Sequence, residues 1–582
     1  MKHTECYIKD YPRPQFVRKN FRLLNGEWSF SFDFKKEGIK NRWYEVFPEG
    51  RKINVPYAYN TELSGICDNI RCDRVWYHRK FNIIPGKDRD ILLHFEGSDY
   101  TTKLWINGKY AGTRSGGAHR LTFNITEFAV EGENTITVAV SDDFSVEKPR
   151  GKQRWRKENF MCFYRETTGI YKSVWLEYAP KSRLNDVKIT PDASAREVLF
   201  EFSYSVPGCE TEVSIRFGGK EVFSAKAVNS LKVDLSRGAV FWSAGEPALY
   251  DVSFKVFEGG LLCDTVYSYF GLRDITLSNG FVYLNGRKLY QKLILDQGYY
   301  KEGLLTPPSE EALYNDIKIC MDAGFNGARK HQKVEDERYL YYADVCGFLV
   351  WAEMPAYYKQ TEKSKNRYRK EWMAAVKQQY NHPSVITWVP FNESWGYGQN
   401  LDVCFDEKPY RFGVEIYNLT KKYDRTRPVI TNDGWLHTVS DIITVHDYGQ
   451  DAEKLAAFYT DISAVTEKNN ATTNLPSFVE GYFYSGQPVM ITEFGGTAFK
   501  KDSEGENWGY GSGVKDEKEF LQRFASLVHL WDSLDFCSGY CYTQLSDVEQ
   551  EVNGLFSFGS EREPKVSLSE IKKILSKRPD LE

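Results

Sequence analysis

The stretch Trp388-Val389-Pro390-Phe391-Asn392-Glu393-Ser394-Trp395-Gly396 sets a carboxylic acid and an amide directly after an apolar run, Val385-Ile386-Thr387-Trp388-Val389. A run of that length, rich in β-branched residues, reads as a short buried strand. A second run has the same grammar: Pro488-Val489-Met490-Ile491-Thr492 passes into Glu493-Phe494-Gly495-Gly496. In a parallel βα barrel the strand C-termini converge on one mouth, so glutamates placed this way face a common cavity. Cleaving a glycosidic bond with retention calls for that arrangement. One carboxyl group is protonated to assist the leaving oxygen, one is ionised to attack the anomeric carbon, and the two lie about 5–5.5 Å apart.

Working outward, the chain after Gly271 alternates apolar strand-like runs with amphipathic helical stretches, the pattern of a parallel βα architecture. Eight candidate strands centre on 290–295, 327–329, 348–351, 385–388, 429–431, 442–445, 489–492 and 539–542, which is the number needed for a closed (β/α)8 TIM barrel. Ser309-Glu310-Glu311-Ala312 starts a capped helix running to Asp322-Ala323-Gly324, and Lys515-Asp516-Glu517 starts another.

Upstream the texture is all β. Residues 1–180 carry short runs such as Gly26-Glu27-Trp28-Ser29-Phe30-Ser31-Phe32 and Lys103-Leu104-Trp105-Ile106, with a strong hairpin signal at Asn107-Gly108, where both residues tolerate positive φ. This spacing predicts a jelly-roll β-sandwich. Residues 181–271 continue with Glu197-Val198-Leu199-Phe200-Glu201-Phe202 and Tyr250-Asp251-Val252-Ser253-Phe254, enough for one immunoglobulin-like β-sandwich. The expected architecture is therefore multidomain, with the barrel filling 272–582.

Bulk properties exclude several function classes. With 76 basic and 80 acidic side chains among 582 residues the formal charge is −4, without long runs of one sign, so nothing argues for nucleic acid or an anionic membrane as partner. Neither an apolar leader nor an 18-residue apolar run occurs, and the 11 cysteines form no C-x-x-C pair or metal-ligand cluster. These features point to a cytoplasmic protein with reduced thiols and no metal or cofactor. Aromatic residues make up 15% of the chain, which suits sandwich cores at least as well as sugar stacking.

The chain resembles glycoside hydrolase family 2, the group that contains β-galactosidases, β-glucuronidases and β-mannosidases. The resemblance is carried by Asn392-Glu393, by Thr492-Glu493-Phe494-Gly495, and by Phe270-Gly271-Leu272-Arg273 with Leu284-Asn285-Gly286 leading into the barrel. It implies Glu393 as acid/base and Glu493 as nucleophile. Phe391, Trp388 and Trp395, with the charge of Glu493, are expected to raise the Glu393 pKa. Asn392 is expected at the sugar 2-hydroxyl, and Arg329 beside Glu493, keeping it ionised. His446 and Tyr448 in Thr444-Val445-His446-Asp447-Tyr448 are expected against the sugar and the nucleophile. Tyr542 stands where many family members have a tryptophan forming the floor of the sugar site. Asp296, Gln297 and Glu353 fall where a rim could read hydroxyl groups, and Trp395 and Trp508 are further substrate-binding candidates. Glu506-Asn507-Trp508-Gly509-Tyr510-Gly511-Ser512-Gly513 reads either as a lid on the leaving-group side or as an ordinary glycine-rich loop.

The resemblance names a reaction more sharply than a sugar. Many family β-glucuronidases grip the uronate with an asparagine and a lysine two apart; here the matching stretch is Glu551-Val552-Asn553-Gly554-Leu555, without a lysine. The expected activity is an exo-β-glycosidase of β-galactosidase type. A β-glucuronidase is the alternative, and a non-catalytic carbohydrate-binding protein the alternative of another class. A transglycosylase would share the same residues. The partner is a glycoside, and a homo-oligomer is compatible with the aromatic-rich sandwiches.

Overall fold

The computed structural model describes residues 2–83, 88–396, 409–499 and 507–576. In the N-terminal unit, a four-stranded antiparallel sheet (Phe21–Leu23, Val174–Pro180, Arg89–Phe95, Leu121–Asn124) and a six-stranded one that includes Gly26–Phe32, Arg74–Ile83 and Gly132–Ser141 enclose one core. Alternate residues of the facing strands fill it: Trp28 and Phe30, Val75 and Tyr77, Leu93 and Phe95. The hairpin turn forms at Asn107-Gly108, with φ of 51° and 74°. A second, smaller sandwich follows, with sheets of three and four antiparallel strands around Val198, Phe200, Val213 and Phe254.

The rest of the chain is a TIM barrel. Seven parallel strands lie in the order β4-β3-β2-β1-β7-β6-β5: β1 Gln291–Asp296, β2 Gly327–Lys330, β3 Leu349–Glu353, β4 Val385–Val389, β5 Ile443–Asp447, β6 Val489–Gly495 and β7 Cys537–Thr543. The stretch 429–431, expected to be a strand of its own, makes no ladder. Val429 forms a single bridge to Trp388, and pairing resumes only where Phe391–Asn392 meets Asn432–Asp433. Pro390, which has no N–H to give, separates the two pieces. This broken eighth position lies between β4 and β5.

Both expected helices form. Helix α1, Glu310–Asp322, is capped by the Ser309 side chain, and helix α2, Glu517–Ser533, by that of Asp516. Strand residues alternate as the pleat requires. Leu293, Leu295, Trp351, Met490 and Cys541 fill the barrel interior, while Ile294, Val350, Phe494, Tyr540 and Tyr542 pack in the outer layer with Phe524 and Trp531 of α2. Among the described residues no helix is long and apolar enough to cross a membrane, and the ten cysteines are all free thiols.

Candidate active site

Arg329, at the inward-facing end of β2, is fully buried and organises the mouth. Its Nε donates to Glu353 Oε2 at 2.7 Å, Nη1 to Glu493 Oε1 at 2.8 Å, and Nη2 to Asn392 Oδ1 at 2.6 Å. Nη1 also pairs with Asp433 Oδ2 at 2.9 Å. A guanidinium has five N–H donors in a rigid fork, so one side chain fixes the positions of three carboxylates and an amide. With its oxygen held by Arg329, Asn392 keeps a buried amide nitrogen that has no hydrogen-bond partner among the described residues.

Glu393 follows the Phe391–Asn392 pairing with φ of 50°, and Ser394 follows with φ of 60°. Non-glycine residues rarely adopt this left-handed region. The conformation is held by Glu393 N donating to the Asp433 carbonyl at 2.9 Å and Ser394 N to Asn432 Oδ1 at 2.8 Å. It turns the Glu393 carboxyl into the mouth, where Trp395 Nε1 donates to Oε2 at 3.2 Å. Glu493, on β6, receives the hydroxyl of Tyr448. The Tyr448 ring is stacked on Tyr510 at 3.4 Å.

Between the two glutamates stands His446 of β5. Its Nδ1 lies 3.0 Å from Glu393 Oε1 and 3.5 Å from Glu493 Oε2, and its Nε2 lies 3.0 Å from Asp433 Oδ2. Ligand atoms of Glu393, His446 and Glu493 all lie within 4.8 Å of one another. An ionised carboxylate only accepts hydrogen bonds, so a ring flanked by two of them carries protons on both nitrogens. Such an imidazolium has no lone pair for a metal ion. Burial opposes its charge, but Glu493 and Asp433, with the hydrogen bonds to Asp433 and Glu393, raise its pKa to about 10. For Glu393, burial pushes upward, while the bond and charge of His446, then Lys152 and His331, pull the carboxyl down to about 2. This reverses the expectation from its aromatic sequence neighbours: the deciding groups, His446 first, are brought in from elsewhere in the chain.

A wall of the mouth comes from the N-terminal sandwich. Arg150 N and Gly151 N donate to the Ala356 carbonyl at 2.8 and 3.1 Å, pinning an irregular segment across the barrel. Gly151 has φ of 60°, and a Cβ there would sit 2.7 Å from the Gln332 carbonyl oxygen, so only glycine fits without movement. The next residue, Lys152, is buried, and among the described residues its ammonium has one hydrogen-bond partner, Cys162 Sγ at 3.2 Å. Burial disfavours its charge; Cys162, Glu393, Glu551 and Glu493 favour it and win. Glu551 is also buried. It accepts from Asn553 Nδ2 at 3.0 Å and from the Tyr164 hydroxyl, and its pKa is raised, by burial first.

The remaining expected site residues are occupied within the protein. Tyr542 faces outward from β7 against Phe524 of α2 and Phe494, so it forms no sugar floor; Thr543, one residue on, points inward, 3.2 Å from the Tyr448 hydroxyl. Asp296 also faces outward, paired with the buried Lys330. Glu353 faces inward but is spent on Arg329 and on Gln332 N at 2.9 Å, so it reads no hydroxyl. Gln297 donates to Gln544 at 2.8 Å and to Tyr164 at 3.1 Å. The Trp395 ring packs against Phe163 and Tyr358. Trp508 donates to the Met161 carbonyl at 2.9 Å and lines, with Arg154, Phe160 and Gln550, a cavity of about 800 Å³. In the stretch read as a lid or loop, Glu506 lies outside the described residues.

The sequence did not single out Asp433, Lys152 or Thr543, and placed Tyr510 only within the stretch read as a lid or loop. Asp433 had a signal, since Asn432-Asp433-Gly434 follows the apolar run 429–431 just as Asn392-Glu393 follows its own. Lys152 had none, lying in a segment without strand or helix period.

Two buried glutamates facing each other across the mouth of a TIM barrel, one on an arginine and one on a histidine, are the pair that the class of glycoside hydrolases uses. Sequence models for the glycosyl hydrolases family 2 sugar binding domain, for glycosyl hydrolases family 2, and for the glycosyl hydrolases family 2 TIM barrel domain match residues 21–180, 182–273 and 308–577. The chain belongs to glycoside hydrolase family 2. It is 22% identical to a β-glucuronidase of Paenibacillus borealis over 91% of both chains. It is 25% identical to a putative β-glucuronidase of Formosa agariphila over 64% of this chain and 46% of that one. With a β-galactosidase of Leuconostoc mesenteroides it shares 23% identity over 76% of this chain and 45% of the other. The chain thus spans about half the length of the last two. In fold it is similar to a Ruminococcus gnavus β-glucuronidase solved with D-glucuronic acid, with a TM-score of 0.79 at 19% identity, covering 97% of this chain and 99% of that one.

Proposed function

We propose that the protein is a retaining exo-β-glycosidase that releases a terminal β-linked sugar by double displacement. The sandwiches over about 1–180 and 181–271 carry the catalytic barrel of 272–582. Glu493 attacks the anomeric carbon, with Arg329 and Tyr448 holding its carboxylate in place. Glu393 gives a proton to the leaving oxygen and later takes one from water. Asn392, through an amide nitrogen unpartnered among the described residues, donates to the 2-hydroxyl, a contact that strengthens as the oxocarbenium-like transition state forms. The observation that carries this reading is the approach of Glu393 and Glu493 oxygens to within 4.8 Å. An inverting enzyme would need about 6.5–9.5 Å to admit a water.

For the sugar, a neutral β-galactoside is the first reading, because the stretch Glu551–Leu555 offers no lysine of the kind with which many family β-glucuronidases grip the uronate. A β-glucuronide is the second reading. It is favoured by Lys152, a buried ammonium with only a thiol as hydrogen-bond partner among the described residues. A panel of nitrophenyl glycosides with the wild type, Glu493→Gln and Glu393→Gln tests the assignment. Turnover lost in Glu493→Gln supports it, and no turnover of any β-glycoside by the wild type rejects it in favour of a sugar-binding protein.

A further inference from the structure

His446 bonds a carboxylate through each nitrogen, Glu393 on the side of the reacting bond and Asp433 on the side of the barrel wall. Asp433 in turn is fixed by Arg329 at 2.9 Å and by the Thr492 hydroxyl at 2.8 Å. Three acceptors, Glu393, Glu493 and Asp433, thus surround one ring, and Arg329, Lys152 and His331 face the same carboxylates from β2 and the sandwich segment. The ring itself is locked. Its edge meets Trp435 at a centroid distance of 5.6 Å, and a Cβ at Gly434 would come within 2.8 Å of Nδ1.

We propose that Asp433 and His446 form a proton relay behind Glu393, so that the proton given to the leaving group is stored on the Glu393–His446 pair and not on Glu393 alone. The inference rests on the assignment of Glu393 as acid/base. In the resting site the imidazolium sits between ionised carboxylates, and its charge lets both glutamates remain anionic at this short range. In the first half-reaction a Glu493 oxygen bonds to the anomeric carbon as the glycosidic C–O bond breaks. The electron pair goes to the leaving oxygen; the proton moves from Nδ1 onto the Glu393 carboxyl and on to that oxygen. Glu393 is left ionised beside a neutral His446. In the second half-reaction a water oxygen bonds to the anomeric carbon, and the ester bond to Glu493 breaks, returning its electron pair. The water proton passes through Glu393 back to Nδ1. Asp433 stays ionised throughout, holding Nε2–H and so fixing the tautomer from which Nδ1 acts. His446 is a positioning residue in this scheme: it touches Glu393, not the sugar.

The relay resolves a conflict in the geometry. A carboxyl held near 2 is a poor acid at neutral pH, but a pair that loses its last proton only when the imidazolium does is a competent one.

The test pairs a glycoside with a good leaving group, dinitrophenyl, against one with a poor leaving group, phenyl or alkyl, in the wild type, His446→Gln and Asp433→Asn. Wild-type turnover of the dinitrophenyl substrate comes first, since its absence would sink the acid/base assignment itself and not the relay. Given turnover, the relay predicts that His446→Gln loses about 100-fold or more in kcat/KM on the poor leaving group but only a few-fold on dinitrophenyl, the signature of missing proton donation. The alkaline limb of its pH profile falls toward the ordinary carboxylate range, and Asp433→Asn moves the limb in the same direction by less. Equal losses on both substrates, or an unmoved alkaline limb, would overturn the relay. Nitrogen NMR of histidine-labelled wild type gives an independent reading even if a variant fails to fold. The relay requires one of the nine histidines to keep both ring nitrogens protonated above pH 8, and a spectrum without such a ring refutes it.

Discussion

Arg329 Nη1 stands 2.8 Å from Glu493 Oε1 with its own side chain fully out of water, so one cation at the barrel centre positions the proposed nucleophile and neutralises Glu353 and Asp433 as well. Removing it strips Glu353 of its guanidinium and leaves Glu493 and Asp433 to share the His446 imidazolium. Arg329→Met is expected to lose about 3–5 kcal/mol of stability, measured by urea unfolding. Arg329→Lys keeps the charge but not the fork, and should recover part of the stability and little of the activity. A variant Arg329→Met as stable as wild type would mean the carboxylates are balanced by other groups.

Glu493→Gln should lower kcat by about 10³-fold or more on every substrate, with the fold intact by circular dichroism. Loss of the acid/base alone should cost about 10²–10⁴-fold and depend on the leaving group. Azide should rescue Glu393→Gln on an activated substrate and give a β-glycosyl azide. An α-azide product would contradict double displacement with Glu493 as nucleophile.

Lys152 and Glu551 should decide the sugar. If the pocket takes a neutral glycoside, Lys152→Met lowers kcat/KM for the galactoside by about tenfold, the scale of one lost hydrogen bond to a charged group, and creates no preference for glucuronide. If it takes a uronide, the same change abolishes glucuronide turnover selectively, and Glu551→Gln raises it. Paired nitrophenyl β-galactoside and β-glucuronide assays separate the two.

Tyr542 packs in the outer layer, so Tyr542→Phe should leave kcat and KM within about twofold. Tyr542→Ala should destabilise by about 3–5 kcal/mol through the hole left against Phe524 and Phe494. A large kcat effect from the phenylalanine variant would put the ring back in the sugar site.

The His446 pKa also fixes a sign for stability against pH. It is raised from 6.5 to about 10, so its contribution is fully present below pH 6.5 and is lost as pH climbs through 10. Glu393 is depressed from 4.5 to about 2, so its contribution is present above 4.5 and disappears as pH falls through 2. The stability gap between wild type and His446→Gln should therefore narrow between pH 6.5 and 10, as read from urea midpoints. A gap that widens over that range would contradict the charged imidazole.

The two glutamates were legible because each closes a buried β run, a one-dimensional signal. So were the helix caps at Ser309 and Asp516 and the hairpin at Asn107-Gly108. Strand alternation also held the answer for Tyr542. Cys541 points inward, so its neighbour points out, and the tryptophan of relatives was the wrong guide to this position. The Glu393 pKa was not legible, because its sign is set by His446, whose nearness to Glu393 is a property of barrel closure. Asp296 and Glu353 were found at the right strand ends, but their cations, Lys330 and Arg329, are partners that sequence order does not pair. The stretch 429–431 has the composition of a strand and lacks only an unbroken neighbour to pair with, since Pro390 interrupts the adjoining one.

The backbone at Gly151, pressed onto the barrel and tied to Ala356, makes the pocket a shared possession of two folding units. A barrel cut loose at residue 272 would keep both glutamates, Arg329 and His446, yet lose the flank that carries Lys152, Cys162 and Tyr164. Its catalytic chamber would open to bulk water on one side, and the cations that hold Glu393 ionised would be one fewer. Substitutions in the sandwich that tilt this strap are thus a route to altering the choice of sugar without touching the barrel.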